Sequence, residues 1–447
     1  MSKLKIGMFE QDITPYGPVK IPGQFYQRVS GEVETPLSVN IFACESEDGE
    51  QLIIAACDLT KVTDDLFGSI KKAVAAKCAE IDAEKVIVSA THIHTAMYYD
   101  RNPASFADLE AKYLPKGSRY VPLQENDEYI PGEELFGFLT ERISDGIVKA
   151  WNARKPAAIA AAFGRAVVGH SRRVAFSDGT AKMYGIADKA TFDELESGSD
   201  SGVELLYVFD ADRKPMGALV NIACPAQVLE HCTFISSDYW GKARIRIKEA
   251  LGDNFVTVGL CAAAGCQSPR DMIRFVLPDT KDPNLLRDNE QRPRSTDPDM
   301  YSIEGAEELG ERVSEVVLKK LKVAEKAIVD DVPMEHEVLH LHLPLRKVTE
   351  TDRLNAQENL RRYFERANKT EYDAYDLASI HVSTGILDRY ALQETTQFYK
   401  CESHVARLGD IAFATNPFEL FLNYGNRIRA RSWAKQTFLI QLACGAG

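Results

Sequence analysis

The chain has 447 residues, 45% hydrophobic and 27% charged, with 53 Lys plus Arg against 66 Asp plus Glu, a formal net charge of −13. This composition is that of a globular protein rather than a disordered one, and the acidic balance argues against a nucleic-acid backbone or an anionic membrane surface as its main partner. The N-terminus carries no secretory apolar stretch, no run approaches the roughly 18 apolar residues of a membrane span, and nine scattered cysteines do not form a disulfide framework. A cytoplasmic protein with reduced, buried cysteines and no stable membrane anchor is expected.

Leu52 to Cys57 and Val86 to Ala90 are short apolar runs typical of buried strands, and Leu66, Ile70, Val74 and Cys78 between them recur as one helical face. A β-α-β unit follows, and with it a sheet flanked by helices. Residues 100 to 132 break the periodicity with four prolines and two glycines and read as a surface flap; a helix resumes through Leu135, Leu139, Ile143, Ile147 and Trp151. Val203 to Phe209 and Met216 to Ile222 form a hairpin signal. Asp238 stands where an N-cap belongs, before a helix that Gly252 ends, and Phe255 to Cys261 is another buried strand. Residues 270 to 300 read as a long loop of the functional kind. A helix through Leu309, Val313, Val317 and Leu321 leads into a strand-rich last third, with strands at Val338 to Leu343, Tyr399 to Arg407, Ile411 to Ala414 and Phe438 to Leu442. No linker composition interrupts the chain, so residues 1–447 are expected to form one large mixed α/β domain, with a possible strand-rich subdomain over 330–447.

Three segments that follow predicted strands carry chemistry. Thr91-His92-Ile93-His94-Thr95 offers two imidazoles at alternate positions; they diverge if the strand continues and converge on one ligand if the chain bends. The other reading is a structural pair satisfied by hydrogen bonds. In Gly265-Cys266-Gln267-Ser268-Pro269-Arg270, small residues permit close backbone approach and Ser268 is either an exposed hydroxyl or the start of a Ser-Pro turn. In Asn416-Pro417-Phe418-Glu419, Pro417 suits the first position of a helix, and Glu419 is a metal ligand or a carboxylate complementing the helix dipole. His336, His340, His342, His381 and His404 show no ligand-like arrangement, and His340-Leu341-His342 reads as cross-strand packing or a solvated face.

Together with Asp12-Ile13-Thr14-Pro15, Ser30-Gly31, Pro36-Leu37 and Ser236-Ser237-Asp238, these segments follow one another in the order of the neutral/alkaline (non-lysosomal) ceramidase catalytic domain, which the chain resembles over nearly its whole length. The resemblance implies layered mixed sheets flanked by helices and a zinc hydrolase. It makes His92 the first zinc ligand and Glu419 a carboxylate ligand. It also makes Ser268 the serine of amide cleavage, His94 a proton-handling histidine, and Arg172 the arginine that binds the scissile group or its oxyanion.

Three positions depart from the pattern. The family's Ala-Cys-His-Pro segment reads Ala223-Cys224-Pro225-Ala226-Gln227 here, so a substitute ligand is needed, His231 before Cys224, Gln227 and Glu230. Cys266 stands where relatives have Asp. Relatives also continue past Phe438 to Leu442 to a tyrosine ligand and an immunoglobulin-like domain, where this sequence reads Gly445-Ala446-Gly447. Without an amphipathic membrane-binding helix, and with His170-Ser171-Arg172-Arg173 suited to a polar or anionic group, a soluble small molecule is expected rather than ceramide. The leading expectation is a zinc-dependent hydrolase of an amide, secondarily an ester. The alternatives are a metal-free hydrolase centred on Ser268 or Cys266, and a non-catalytic ligand-binding descendant. Nothing in the sequence indicates an oligomeric state.

Overall fold

The computed structural model describes residues 4–101, 111–122, 128–185, 187, 189–273 and 302–447. Parts of the expected flap and nearly all of the expected 270–300 loop lie outside the described residues. The main strands are β1 (Leu4–Asp12), β2 (Ser38–Ser46), β3 (Gln51–Cys57), β4 (Val86–Ala90), β5 (Lys155–Arg165), β6 (His170–Ser171), β7 (Gly202–Asp210), β8 (Pro215–Ile222), β9 (Val256–Cys261), β10 (Gln267–Ser268), β11 (Met334–Pro344), β12 (Phe398–Leu408), β13 (Ile411–Thr415) and β14 (Gln436–Ile440). An eight-stranded sheet runs in the order β9-β8-β7-β5-β1-β2-β3-β4. Its two outer pairs, β8/β9 and β3/β4, are parallel and the inner pairs antiparallel. A parallel pair needs a crossover. Helix α1 (Asp64–Lys77) supplies it on one side, with α2 (Gly132–Asn152) packed on α1, β1 and β2; α3 (Asp238–Leu251) supplies it on the other.

Each crossover is written in its residues. Thr63 caps α1 by accepting from the Leu66 N–H, and Leu66, Phe67, Ile70 and Val74 form its buried face, each worth roughly 2 kcal/mol on removal from water. Helix α2 buries Leu135, Leu139, Ile143, Ile147 and Trp151 as the periodicity predicts. The expected cap of α3 shifts by one residue. Ser237 is the N-cap, and Asp238 is the first helical residue, with φ of 51°. Its buried carboxylate accepts from the N–H groups of Tyr239 and Leu229, tying the 224–231 segment to the helix start.

The sheet curls until edge strand β9 packs back against β2, β3 and β4. A second sheet, β11-β12-β13-β14, lies across this closure. Its last strand continues as Gln441–Cys444, where Gln441 N–H donates to the Cys261 carbonyl of β9, and Ala90 N–H of β4 donates to the Leu442 carbonyl. The C-terminal ends of β4, β9 and β13 therefore meet in one place, which is where ligands of open α/β sheets bind. Helix α4 (Ile303–Ala324) packs on α3 and β5.

The last third is not strand-rich throughout. Between β11 and β12 stand α5 (Glu350–Ala367) and α6 (Ala374–Leu392), packed on each other with a small core of Leu360, Leu377 and Ile380. Helix α5 buries only Ala356 and Leu360, too few for a hydrophobic stripe; its readable signal is the capping box Thr349/Asp352, as Asp373/Asp376 is for α6. Part of the flap is pinned here: Arg119–Tyr120 pairs in parallel with Glu371–Tyr372. All nine cysteines are free, and seven are buried. Among the described residues no helix is long and apolar enough to cross a membrane.

Candidate functional site

At the end of β4 the chain bends. Thr91 N–H donates to Cys57 O, Ile93 N–H to Leu59 O, and His92 between them takes φ of 65°. This turn cancels the alternation of an extended strand, so both imidazoles project to the same side, with Nε2 atoms 3.4 Å apart and rings edge to face. The bend is held from below. The Thr91 hydroxyl donates to Asp58, whose fully buried carboxylate receives Arg244 of α3 at 2.6 Å and Ser38 N–H at 2.9 Å. A buried ion pair so surrounded by donors fixes geometry more than it adds stability.

His92 Nδ1 lies 2.6 Å from the Thr60 carbonyl, which can only accept. Nδ1 therefore carries a proton, and in the neutral imidazole Nε2 is the lone-pair nitrogen. That lone pair faces Glu419 Oε1 at 3.7 Å. His94 is 7% exposed. Burial, then the neighbouring His92, Arg28 and Arg172, hold it well below the ordinary histidine range, so it is neutral near pH 7. Its Nε2 lies 2.8 Å from the Gln227 amide nitrogen, its carbonyl accepts from Arg28 at 2.7 Å, and Gly23 packs flat against its ring. A Cβ at Gly23 would sit 2.4 Å from His94 Nδ1.

Glu419 lies in the loop after β13 and before α7 (Leu422–Arg431), not in a first helical turn. The expected helix start at Pro417 is thus displaced to Leu422, and with it goes the dipole reading of Glu419. Gly265 makes the loop's approach possible, since a Cβ there would meet the Glu419 carbonyl oxygen at 2.1 Å. Gln441 clamps both loops: its Oε1 accepts from Ala264 N–H and Leu420 N–H, each at 3.0 Å. Sequence reasoning missed Gln441 and Thr60, whose roles come from strand neighbours remote in the chain.

Arg172 follows β6, which pairs with β10 so that Ser268 stands opposite His170. Its guanidinium reaches Glu419 Oε2 at 3.7 Å, the Tyr184 hydroxyl at 3.0 Å, the Gly265 carbonyl at 2.9 Å and Gln227 Oε1 at 3.5 Å. Although burial opposes it, Tyr184 and then Glu419 and Glu230 keep Arg172 firmly cationic. The Tyr184 hydroxyl donates to Ser268 Oγ at 3.4 Å, and Arg270 N–H donates to the same oxygen. Ser268 is 2% exposed, on a short strand rather than a bare turn.

His92, His94, Arg172, Ser268 and Glu419, up to 327 positions apart, are thus linked directly or through Tyr184 and Gln227. His231 stands outside this set. Its half-exposed side chain is 3.4 Å from the Tyr26 hydroxyl and 3.7 Å from Glu230, and Glu230 presents its other oxygen to His94 at 3.9 Å. Gln227 is the residue of this segment that hydrogen-bonds to the histidine pair, the turn at Pro225 to Gln227 pointing it inward, while Glu230 intervenes between the pair and His231. Cys266 is fully buried and its Sγ accepts from Leu422 N–H at 3.2 Å, a packing role.

Beside the histidines opens a cavity of about 340 Å³, lined by Phe25, Tyr26, Met97, Tyr98 and Tyr99 among others, and bordered by Gly23, Arg28 and Thr60 of the site. Phe25 and Tyr26 in turn stack near His381 and Tyr375 of α6.

No protein-family model matches the chain, and no curated protein matches it. Solved structures do. Neutral ceramidase from Pseudomonas aeruginosa superposes with a TM-score of 0.66 at 15% identity, over 100% of this chain and 68% of that one. A ceramidase complexed with C2 gives 0.67 at 13% identity, over 100% and 69%. The chain has the neutral ceramidase fold, and the expected α/β class and family likeness stand.

Proposed function

We propose that the protein hydrolyses an amide bond of a small molecule, binding the scissile carbonyl between the His92–Glu419 pair and the Arg172–Tyr184–Ser268 chain. The observation that carries this reading is Nε2 of His92 facing Glu419 Oε1 at 3.7 Å; with the imidazole neutral these are two acceptors, with room between them for a cation. Zinc with ligand bonds of about 2.0–2.2 Å sets neighbouring ligands roughly 3.3–3.6 Å apart, so this pair suits it. Bound there, Zn2+ would polarise the carbonyl and lower the pKa of water.

The remaining roles belong to the chain's own groups. By engaging Nδ1, Thr60 holds neutral His92 in the tautomer that ligates through Nε2. Arg172 and the hydroxyls of Tyr184 and Ser268 offer donors to the developing oxyanion, where such donors are worth most. Neutral His94 stands beside His92 with its Nε2 accepting from the Gln227 amide, which orients the ring. The tyrosine-lined cavity suits a compact apolar arm of the substrate, with the polar arm toward Arg172. Esters sharing this shape would also react.

A panel of N-acyl amides of soluble amines, followed by release of the free amine and paired with metal analysis, tests this reading. Turnover that is lost on chelation and restored by Zn2+ is expected. Full activity of metal-stripped protein would remove the metal. Thermal stabilisation by panel members without any turnover would instead make this a ligand-binding descendant of the fold.

A further inference from the structure

A second constellation lies away from this site, among histidines that show no ligand-like arrangement in the sequence. His336 on β11 and His404 on β12 sit side by side, 5% and 0% exposed. His336 Nδ1 is 2.9 Å from the Gln51 carbonyl, His336 Nε2 is 2.9 Å from His404 Nδ1, and His404 Nε2 is 3.0 Å from Glu402 Oε1. This chain has three links, and its two ends, a carbonyl and a carboxylate, accept only. Two neutral imidazoles bring two protons. The third link needs one more cation: a proton fits the 3.0 Å gap as it stands, and a metal ion would open it toward the roughly 3.3–3.6 Å between zinc ligands.

Cys444 decides between them. Its Sγ, Glu402 Oε1 or Oε2 and a His404 ring nitrogen converge, with all three donor atoms within 4.8 Å of one another. A proton relay has no use for a thiol at that point. The thiol is also held there at a cost: Cys444 adopts φ of 60° and Leu442 φ of 53°, a region non-glycine residues avoid. The Cys444 N–H is anchored on Val88 O at 2.9 Å. Lys71 Nζ takes the other oxygen of Glu402 at 2.9 Å and Glu84 at 2.6 Å, orienting the carboxylate without using Oε1. The cluster opens on a cavity of about 320 Å³ that Glu402, Cys444, Lys71 and His340 help to line, and His340 with Glu84 and Glu402 forms a second converging group at its rim.

We propose that Glu402, His404 and Cys444 form a second metal site, for a borderline-soft divalent ion such as Zn2+, with His336 fixing the His404 tautomer and the cavity side left open for water or an exogenous ligand. Imidazole, thiolate and carboxylate are zinc donors, and three protein ligands with an open fourth position describe a site that can exchange. Binding releases the Cys444 thiol proton to solvent, so affinity rises with pH.

The test uses the full-length chain, stripped with chelator and titrated with Co2+. A thiolate-to-cobalt charge-transfer band in the near ultraviolet is expected with the first or second equivalent. It should persist in His92→Ala and be lost in Cys444→Ser and in His404→Gln. Metal should also protect Cys444 of the unmutated chain from alkylation, read by peptide mass, so the proposal stays testable whether or not those variants fold. No charge-transfer band in the unmutated chain, a band that survives Cys444→Ser, or Cys444 alkylated equally with and without metal would each overturn it and leave the third cation a proton.

Discussion

Two histidine-carboxylate constellations share the C-terminal run Gln441–Cys444 and differ in how they were assembled. At the first, the run contributes Gln441, which clamps the loops bearing Ser268 and Glu419. At the second it contributes the thiol itself. The first has the order of motifs of a known family, yet among the described residues no three of its donors converge as a metal group; the second has no motif and gathers three. Chemistry announced by a local motif need not be the chemistry with the most complete donor set, because ligation depends on where side chains converge.

The sharpest way to separate the two is His92→Ala. Amide hydrolysis should fall by about 10³-fold or more, equivalent to about 4 kcal/mol of transition-state stabilisation, as removal of a principal electrostatic group does. Folded Cys444→Ser, assayed alongside, should retain hydrolysis; equal losses would merge the two constellations into one functional unit.

Next is the support beneath the first site. Burial pushes the Asp238 carboxyl up to about 6. Below the unfolded value near 3.9 both states hold the proton; as pH rises from about 4 to about 6 the unfolded chain releases it first, so stability falls across that window, by about 3 kcal/mol. Urea midpoints at pH 4 and pH 6.5 should show this loss in the unmutated chain and a flatter profile in Asp238→Asn.

Arg172→Met should lower kcat/KM by about 10², with Arg172→Lys recovering little because an ammonium cannot span Tyr184, Gly265 and Glu419 together. Gly23→Ala should cost about 2 kcal/mol in denaturant unfolding, since φ of 93° and the His94 ring both oppose a side chain. Smallest is Thr349→Ala, about 1 kcal/mol from the lost cap of α5, with hydrolysis unchanged. A large drop in hydrolysis there would make the α5–α6 pair part of the substrate site through Phe25 and Tyr26.

Much of the scaffold was legible because its signals are local. The apolar runs of β3, β4, β8 and β9 and the stripes of α1, α2 and α4 report burial on one face, which period alone reveals. The α5–α6 pair escaped because most of its surface is polar. Asp238 and Pro417 were each misread by local rules that strand ends and loop contacts overrode: a buried carboxylate binding Leu229 N–H, and a loop held by Gln441.

By itself the sequence determined the α/β class and the strand ends at which His92, His94, Ser268 and Glu419 stand, properties of residue type and short-range periodicity; the roles proposed for them came from the family resemblance. Only the tertiary structure decided that His92 turns Nε2 to Glu419, that Gln227 rather than His231 reaches the pair, and that Glu402, His404 and Cys444 meet. Those outcomes rest on closure of the curled sheet by Gln441–Cys444, a long-range packing event that no local pattern encodes.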